Sequence, residues 1–488
     1  MIKKIIILLL SALLLGDIGF SFIQHYNTPF DGDMAGGIVP NHDVIPILDN
    51  PLGIKIFTEN TTYPNPNRFF SHWTFYHYFN TLPIYLQNFA SPIDSAYLSC
   101  AIAKTIVQIS IIFLLSFLIS GRIFRFDFLL SAFLITPLFQ TNGYSTYMGI
   151  IDPSTTYTFF YAMPIILVIL YFMPLYFKYI NGVEFKAMRY LKYLWIPLAL
   201  ISSLSGPLNP GISLVISLLV FIYFYLQNYK NSEIKIRYTK LILLIKRIPK
   251  DVLFYLIPIC VFSLYSLLLG RYNSLNVGNE MPLWDLYLRL PIGIYYLLTQ
   301  KLGFPILLLI LAINSLIIRY KINTPEGKTI LKLFKWIGLF ALIYILLLPF
   351  GGYRDYRPNI LRYDTILPIT ISLVFIFAKT TIFILRHYPI KQKYRYTPLI
   401  ILVLFIFTNA DKAKFDKNDC ERKSIQRIAE SKERIVRIDN NCKLLSWEII
   451  NNPKDSELNT KLLKKWRIIK EDKLYYQTSS NLSNTNLN

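Results

Sequence analysis

The chain has 488 residues, 53% of them hydrophobic and 16% charged, with a mean hydropathy of +0.40. That apolar excess excludes an ordinary soluble domain and has to be met by lipid. A formal charge of +22 would suggest nucleic acid as partner in a soluble protein, but most basic residues sit in short stretches between apolar runs; there they act as topology signals, and no nucleic acid is expected.

Lys3 and Lys4 precede an apolar run that continues through Asp17 to Ile23. A signal peptide and a first transmembrane helix both begin this way. The missing small-x-small cleavage site and the length of the run favour the helix. Further apolar windows follow near Ala96 to Ser120, Asp127 to Gln140, Tyr157 to Phe177, Leu194 to Ser205, Gly211 to Gln227 and Val252 to Gly270. Others lie near Leu302 to Ile318, Trp336 to Phe350, Thr365 to Leu385 and Thr397 to Phe407. The expected fold is an all-α integral membrane bundle of about eleven transmembrane helices over residues 1–408. The windows beginning at Asp127, Leu194 and Thr397 are short.

Residues 24–93 form a long first loop, broken by prolines such as Pro29, Pro46 and Pro66 and made aromatic by Phe69, Phe70, Trp73, Phe75, Tyr76, Tyr78 and Phe79. Such pieces are expected to lie along the membrane interface, as is Trp284 to Thr299. Residues 409–488 form a tail, expected to be a small helical domain or partly disordered, with a frayed end from Gln477.

Placing the amino terminus in the cytoplasm puts 24 basic residues in the inner stretches and 8 in the outer loops. The bias predicts a multi-pass protein of the bacterial inner membrane with the first loop and the tail extracytoplasmic. There Cys420 and Cys442 can pair, whereas Cys100 and Cys260 lie in apolar runs as packing residues.

Pro29-Phe30-Asp31-Gly32-Asp33-Met34 follows the first span. Two carboxylates flanking a flexible glycine can converge on one divalent cation, or one can hold metal while the other accepts a proton. A simple turn is the structural alternative. The later outer loop, Tyr353 to Asp364, carries Arg354, Arg357 and Arg362 against the charge bias. Guanidinium groups suit the phosphate oxygens of a phosphorylated lipid, and the alternative is headgroup anchoring with pairing to Asp355 and Asp364.

His72 and His77 are five residues apart and do not share a helical face, so packing is expected, although one histidine can complete an aspartate metal site. Within the spans, Asp17 and Lys104 should face protein, because an ionised group at mid-bilayer costs roughly 2.5–3.5 kcal/mol on insertion scales. Lys379 can snorkel to the cytoplasmic end. Asp152 is explained equally by a helix cap and by catalysis. The absence of phosphate-loop, His-Glu-x-x-His, Cys-x-x-Cys and Gly-x-Ser-x-Gly motifs argues against ATP-driven transport and zinc hydrolysis.

The layout resembles the GT-C superfamily of polyprenyl-phosphate-sugar-dependent glycosyltransferases. Pro29 to Met34 looks like the Pro-x-x-Asp-Glu type of stretch after the first span in that family, with the departure that the second acid stands at position 33. Arg362-Tyr363 followed by Pro368 is similar to the segment that precedes a late span in many members. The resemblance implies a lipid-linked sugar donor bound in a cavity between the first loop and the bundle, among membrane lipids. Arg354, Arg357, Arg362 and Tyr363 would hold its phosphate, with a divalent cation (Mg or Mn) as a possible cofactor. Asp33 or Asp31 would be the base of an inverting transfer. The rivals are a transporter or flippase of lipid-linked saccharides, with Asp17 and Lys104 as coupling charges, and an O-antigen polymerase or ligase. The interruption Gly206 to Gly211 has no matched partner elsewhere in the chain, and the large loop is the first one.

Overall fold

A computed structural model describes residues 2–184, 192–230, 247–276, 281–352, 357 and 359–478. The chain opens with α1 (Ile2–Tyr26), an uninterrupted apolar helix. The prolines of the first loop limit it to turns and short helices, including α2 (Met34–Ile38), until α3 (Phe69–Leu86). Ser91 caps α4 (Pro92–Ser120) by accepting from the backbone N–H of Asp94, and Gly121 closes it in the left-handed region at φ 70°.

After α5 (Phe126–Ile135), a turn Thr155–Tyr157 and a π-helical stretch Thr158–Ala162 run into α6 (Met163–Tyr179), forming one apolar element from Thr155 to Tyr179. The helical part continues with α7 (Trp195–Ser203), α8 (Asn209–Lys230), α9 (Lys250–Gly270), α10 (Leu283–Thr299) and α11 (Gly303–Ile317). It ends with α12 (Pro325–Leu347), α13 (Leu367–His387) and α14 (Ile390–Ala410).

Among the described residues, eight helices are long and apolar enough to cross a membrane, those built on α1, α4, α6, α8, α9, α11, α12 and α13. The protein is therefore a mostly helical, multi-pass membrane protein. The three short windows of the sequence become α5 with 10 residues, α7 with 9, and α14 with 21, whose first turns carry Lys391, Lys393 and Arg395.

Burial sorts the spans. In α13, 83% of the apolar window is buried, against 6% in α1 and 17% in the α12 span, so α13 is the axis and the other two face lipid. Inside the bundle, Asn314 donates to Thr380 at 2.9 Å and accepts from the Tyr396 hydroxyl at 2.7 Å, tying α11 to α13 and α14. α10 exposes Trp284, Leu288, Ile292 and Tyr295 and buries Leu286 and Leu290.

Contacts define two ends. At one, the Tyr26 hydroxyl closing α1 donates to Asp94 opening α4 at 2.8 Å, and Asp411 after α14 accepts from the backbone N–H groups of Thr141, Asn142 and Gly143. Asn67 of the first loop donates to the Ser266 carbonyl near the end of α9 at 3.2 Å. At the other end, Arg386 closing α13 pairs with Asp127 opening α5, and Lys178 closing α6 pairs with Asp251 opening α9 at 3.0 Å.

The tail comprises α15 (Asp419–Glu430), β1 (Ile435–Ile438), α16 (Glu457–Lys465) and β2 (Leu474–Gln477). The strands pair in parallel, Ile435 opposite Leu474, and α16 lies in the crossover that parallel pairing requires. The expected helical tail is thus refined by a two-stranded sheet whose four-residue strands are too short to stand out by period. Gln477, expected to fray, is instead buried and donates to the Cys442 carbonyl at 2.6 Å. The remaining polar run, residues 479–488, lies outside the described residues. Cys420 and Cys442 are disulfide-bonded. The tail shares one core with the first loop and α4: Trp466, fully buried, donates from its indole to the Phe79 carbonyl at 3.0 Å and packs 5.5 Å from the Phe30 ring.

Candidate functional site

The acidic loop is held from behind. Phe30 stacks on Tyr97 at 4.1 Å, and its backbone N–H donates to Glu421 at 2.8 Å. These anchors direct the two following carboxylates to different tasks. Asp31 is buried; it accepts from the Thr156 hydroxyl at 2.6 Å, the Thr156 backbone N–H at 3.0 Å and its own loop's Asp33 N–H at 3.2 Å. It sits at the first turn of the α6 element, where a negative charge is favoured by the unpaired N–H groups. Asp33 is exposed, and its Oδ1 accepts from the indole N–H of Trp447, in the tail, at 3.0 Å. Gly32 between them lies so close to the tail that a Cβ there would stand 2.5 Å from the Trp447 backbone nitrogen and 2.6 Å from its ring.

The expected pair of metal-binding carboxylates is therefore split between Thr156 and Trp447. Among the described residues no group of three or more His, Cys, Asp and Glu side chains could hold a metal ion. His72 is buried on α3, its ring edge-on to Phe160 at 4.5 Å, and burial, reinforced by Arg68, lowers its pKa to about 3. It packs, as the five-residue spacing to the exposed His77 suggests.

Beneath Asp31 lies Lys104, buried, whose ammonium donates to the Pro153 carbonyl and has Asp31 and Asp152 within electrostatic reach. As expected, it faces protein. Asp152 is buried, accepts from the Ser154 backbone N–H at 2.7 Å and is hydrogen-bonded by Tyr363. Burial pushes its carboxyl up to about 7 against those bonds. The cap of the next turn is Ser154, which accepts from Tyr157 N–H at 3.1 Å, so capping does not account for Asp152. Asp17 stands apart, half-buried on α1 toward Asp411.

The arginine loop meets these residues from the other side. Arg362 grips Asp364 with two bonds, Nε to Oδ1 at 3.0 Å and Nη2 to Oδ2 at 2.8 Å. Arg357 lies 3.6 Å from the same carboxylate, donates to the Tyr157 hydroxyl and places its guanidinium over that ring at 4.9 Å. Of the internal pairing weighed for this loop, the part to Asp364 is present, with two guanidinium groups sharing one buried carboxylate; Asp355 lies outside the described residues. Burial, then the neighbouring Arg362, lowers the Arg357 pKa, while Asp33 is among the carboxylates that hold it up. Arg354 lies outside the described residues. Gly293 of α10 admits Leu361, whose Cβ would otherwise be 2.6 Å from a side chain there.

Asp31, Asp33, Lys104, Asp152, Arg357, Arg362 and Tyr363 are therefore brought into one connected cluster, and His72 into the adjacent core. Sequence reasoning missed Thr156, Tyr157, Glu421 and Trp447, which carry no local pattern. A cavity of about 310 Å³ lies at the opposite, basic end, lined by Ser120, Asn181, Glu326, Thr329 and Lys379 among others, and includes none of the cluster. No family model matches the chain, and a search of curated proteins finds no match.

Proposed function

We propose that the protein is a membrane glycosyltransferase of GT-C type, moving a sugar from a polyprenyl-phosphate donor to an acceptor hydroxyl on the extracytoplasmic face of a bacterial inner membrane. With α5, α7 and α14 counted beside the eight long spans, eleven crossings would put the two ends of the chain on opposite sides, and the positive-inside bias favours a cytoplasmic amino terminus and an outer tail. The observation that carries the proposal is that the exposed carboxylate of Asp33, fixed by the Trp447 indole, lies within electrostatic reach of the Arg357 guanidinium. A base and an anion-binding group within one cluster are what a single displacement from a phosphate carrier requires.

Asp33 takes the acceptor proton. The freed oxygen attacks the anomeric carbon, the bond from that carbon to the carrier phosphate oxygen breaks, and its electron pair leaves with the polyprenyl phosphate. Arg357 and Arg362 stabilise that developing charge, and the anomeric centre inverts. Asp31, with both oxygens engaged by Thr156, positions the loop.

In purified membranes given a polyprenyl-phosphate-linked sugar, Asp33→Asn should lower transfer by about 10²-fold or more at unchanged expression. Arg357→Ala should raise the apparent donor KM more than it lowers affinity for acceptor. Transfer unaltered in Asp33→Asn, Asp31→Asn and the double variant would remove the catalytic assignment.

A further inference from the structure

Trp447 is a large aromatic side chain of the tail with 44% of its surface exposed, yet it is fixed on three sides. Its indole N–H donates to Asp33, its backbone and ring edge close on Gly32, and its ring lies 5.9 Å from that of Tyr157 at 35°. Tyr157 in turn accepts from Arg357. An immobilised, partly exposed indole thus stands beside the proposed base and, through Tyr157, the arginine.

We infer that Trp447 is an acceptor-binding residue and that the acceptor is a saccharide, whose ring stacks on the indole while a hydroxyl reaches Asp33. The inference rests on the function proposed above and adds the acceptor class. A pyranose presents C–H groups on one face and hydroxyls at its rim. The apolar indole face matches the first, and Asp33 and Arg357 match the second with charge-assisted hydrogen bonds. An alkyl chain would gain nothing from the two charged neighbours.

The test uses full-length protein in nanodiscs free of glycoside detergent. Saturation-transfer NMR is recorded with methyl β-D-glucopyranoside, methyl α-D-mannopyranoside and methyl N-acetyl-β-D-glucosaminide. At least one should receive saturation at its ring C–H protons, falling about fivefold or more in Trp447→Ala and largely kept in Trp447→Phe. The same glycoside should protect wild-type Trp447 from oxidation by N-bromosuccinimide, read by peptide mass spectrometry, which requires no variant to fold. Equal saturation in Trp447→Ala, or no saturation and no protection in the wild type, overturns the inference. Asp33→Asn keeps an oxygen for the indole N–H, so it should still bind glycoside. Binding kept with transfer unaffected in that variant sinks the catalytic assignment alone, whereas no binding and no protection in the wild type, with transfer lost in Asp33→Asn, sinks the acceptor class alone.

Discussion

At the scale of single residues, Gly32 explains why the acidic motif has the form Asp-Gly-Asp. Its φ is not in the left-handed region; what demands glycine is the approach of Trp447, whose backbone nitrogen would stand 2.5 Å from a Cβ. Backbone cannot yield as a side chain end can, so Gly32→Ala should displace the tail segment, costing about 1–3 kcal/mol of stability. Thermal unfolding in detergent reads the cost, and unchanged unfolding together with unchanged Trp447 fluorescence would show that the approach is looser. The pair of acids was legible as a motif, but their separate duties were not. Thr156 lies 125 residues from Asp31 and Trp447 lies 414 from Asp33, and no local spacing encodes such partners. Asp152 shows the same limit: a helix cap and catalysis explained it equally from the sequence, while its bond from Tyr363 comes from the far loop.

At the scale of elements, α15 holds the tail to the loop through Glu421. This buried carboxylate accepts from Phe30 N–H at 2.8 Å, the Tyr97 hydroxyl at 2.7 Å and Leu445 N–H at 3.1 Å. Burial outweighs the bonds and pushes the carboxyl up to about 7 from its ordinary 4.5. The docked state therefore favours the protonated form. Its contribution is fully present below 4.5 and is lost as pH rises through about 7. Amide exchange across α15 should accelerate relative to the bundle as pH rises through that window, after correction for intrinsic exchange, and Glu421→Gln should flatten the dependence. A slope that survives in Glu421→Gln would assign it to another group. The adjacent Cys420–Cys442 bridge spans 22 residues and stabilises the tail by about 3 kcal/mol in the chain-entropy account. The cysteines were readable as a pair once the tail was placed outside. The strands were not, because β1 and β2 have four residues each and gain their stability from pairing across 39 positions.

At the scale of the whole molecule, the long apolar runs were legible because each must span lipid by itself, whereas α5 and α7 are too short to declare their role without neighbours. The ends matter more than the count. Loops expected on one side meet in space: the acidic loop, the turn from Asp152 to Tyr157, the arginine loop and the tail share contacts, and the basic loops gather at the other end. Random assignment of sides would have threaded some of these contacts through the bilayer. The proposed orientation then follows from the positive-inside bias. In a Cys260→Ser background, Glu59→Cys should react with a membrane-impermeant maleimide on intact cells. Lys328→Cys, at the α12 start, should react only after permeabilisation. Both positions are exposed, so access and not burial decides the outcome. Reversal of the two would turn the cluster toward the cytoplasm and, with it, require the lipid-linked donor to be used before it crosses the membrane.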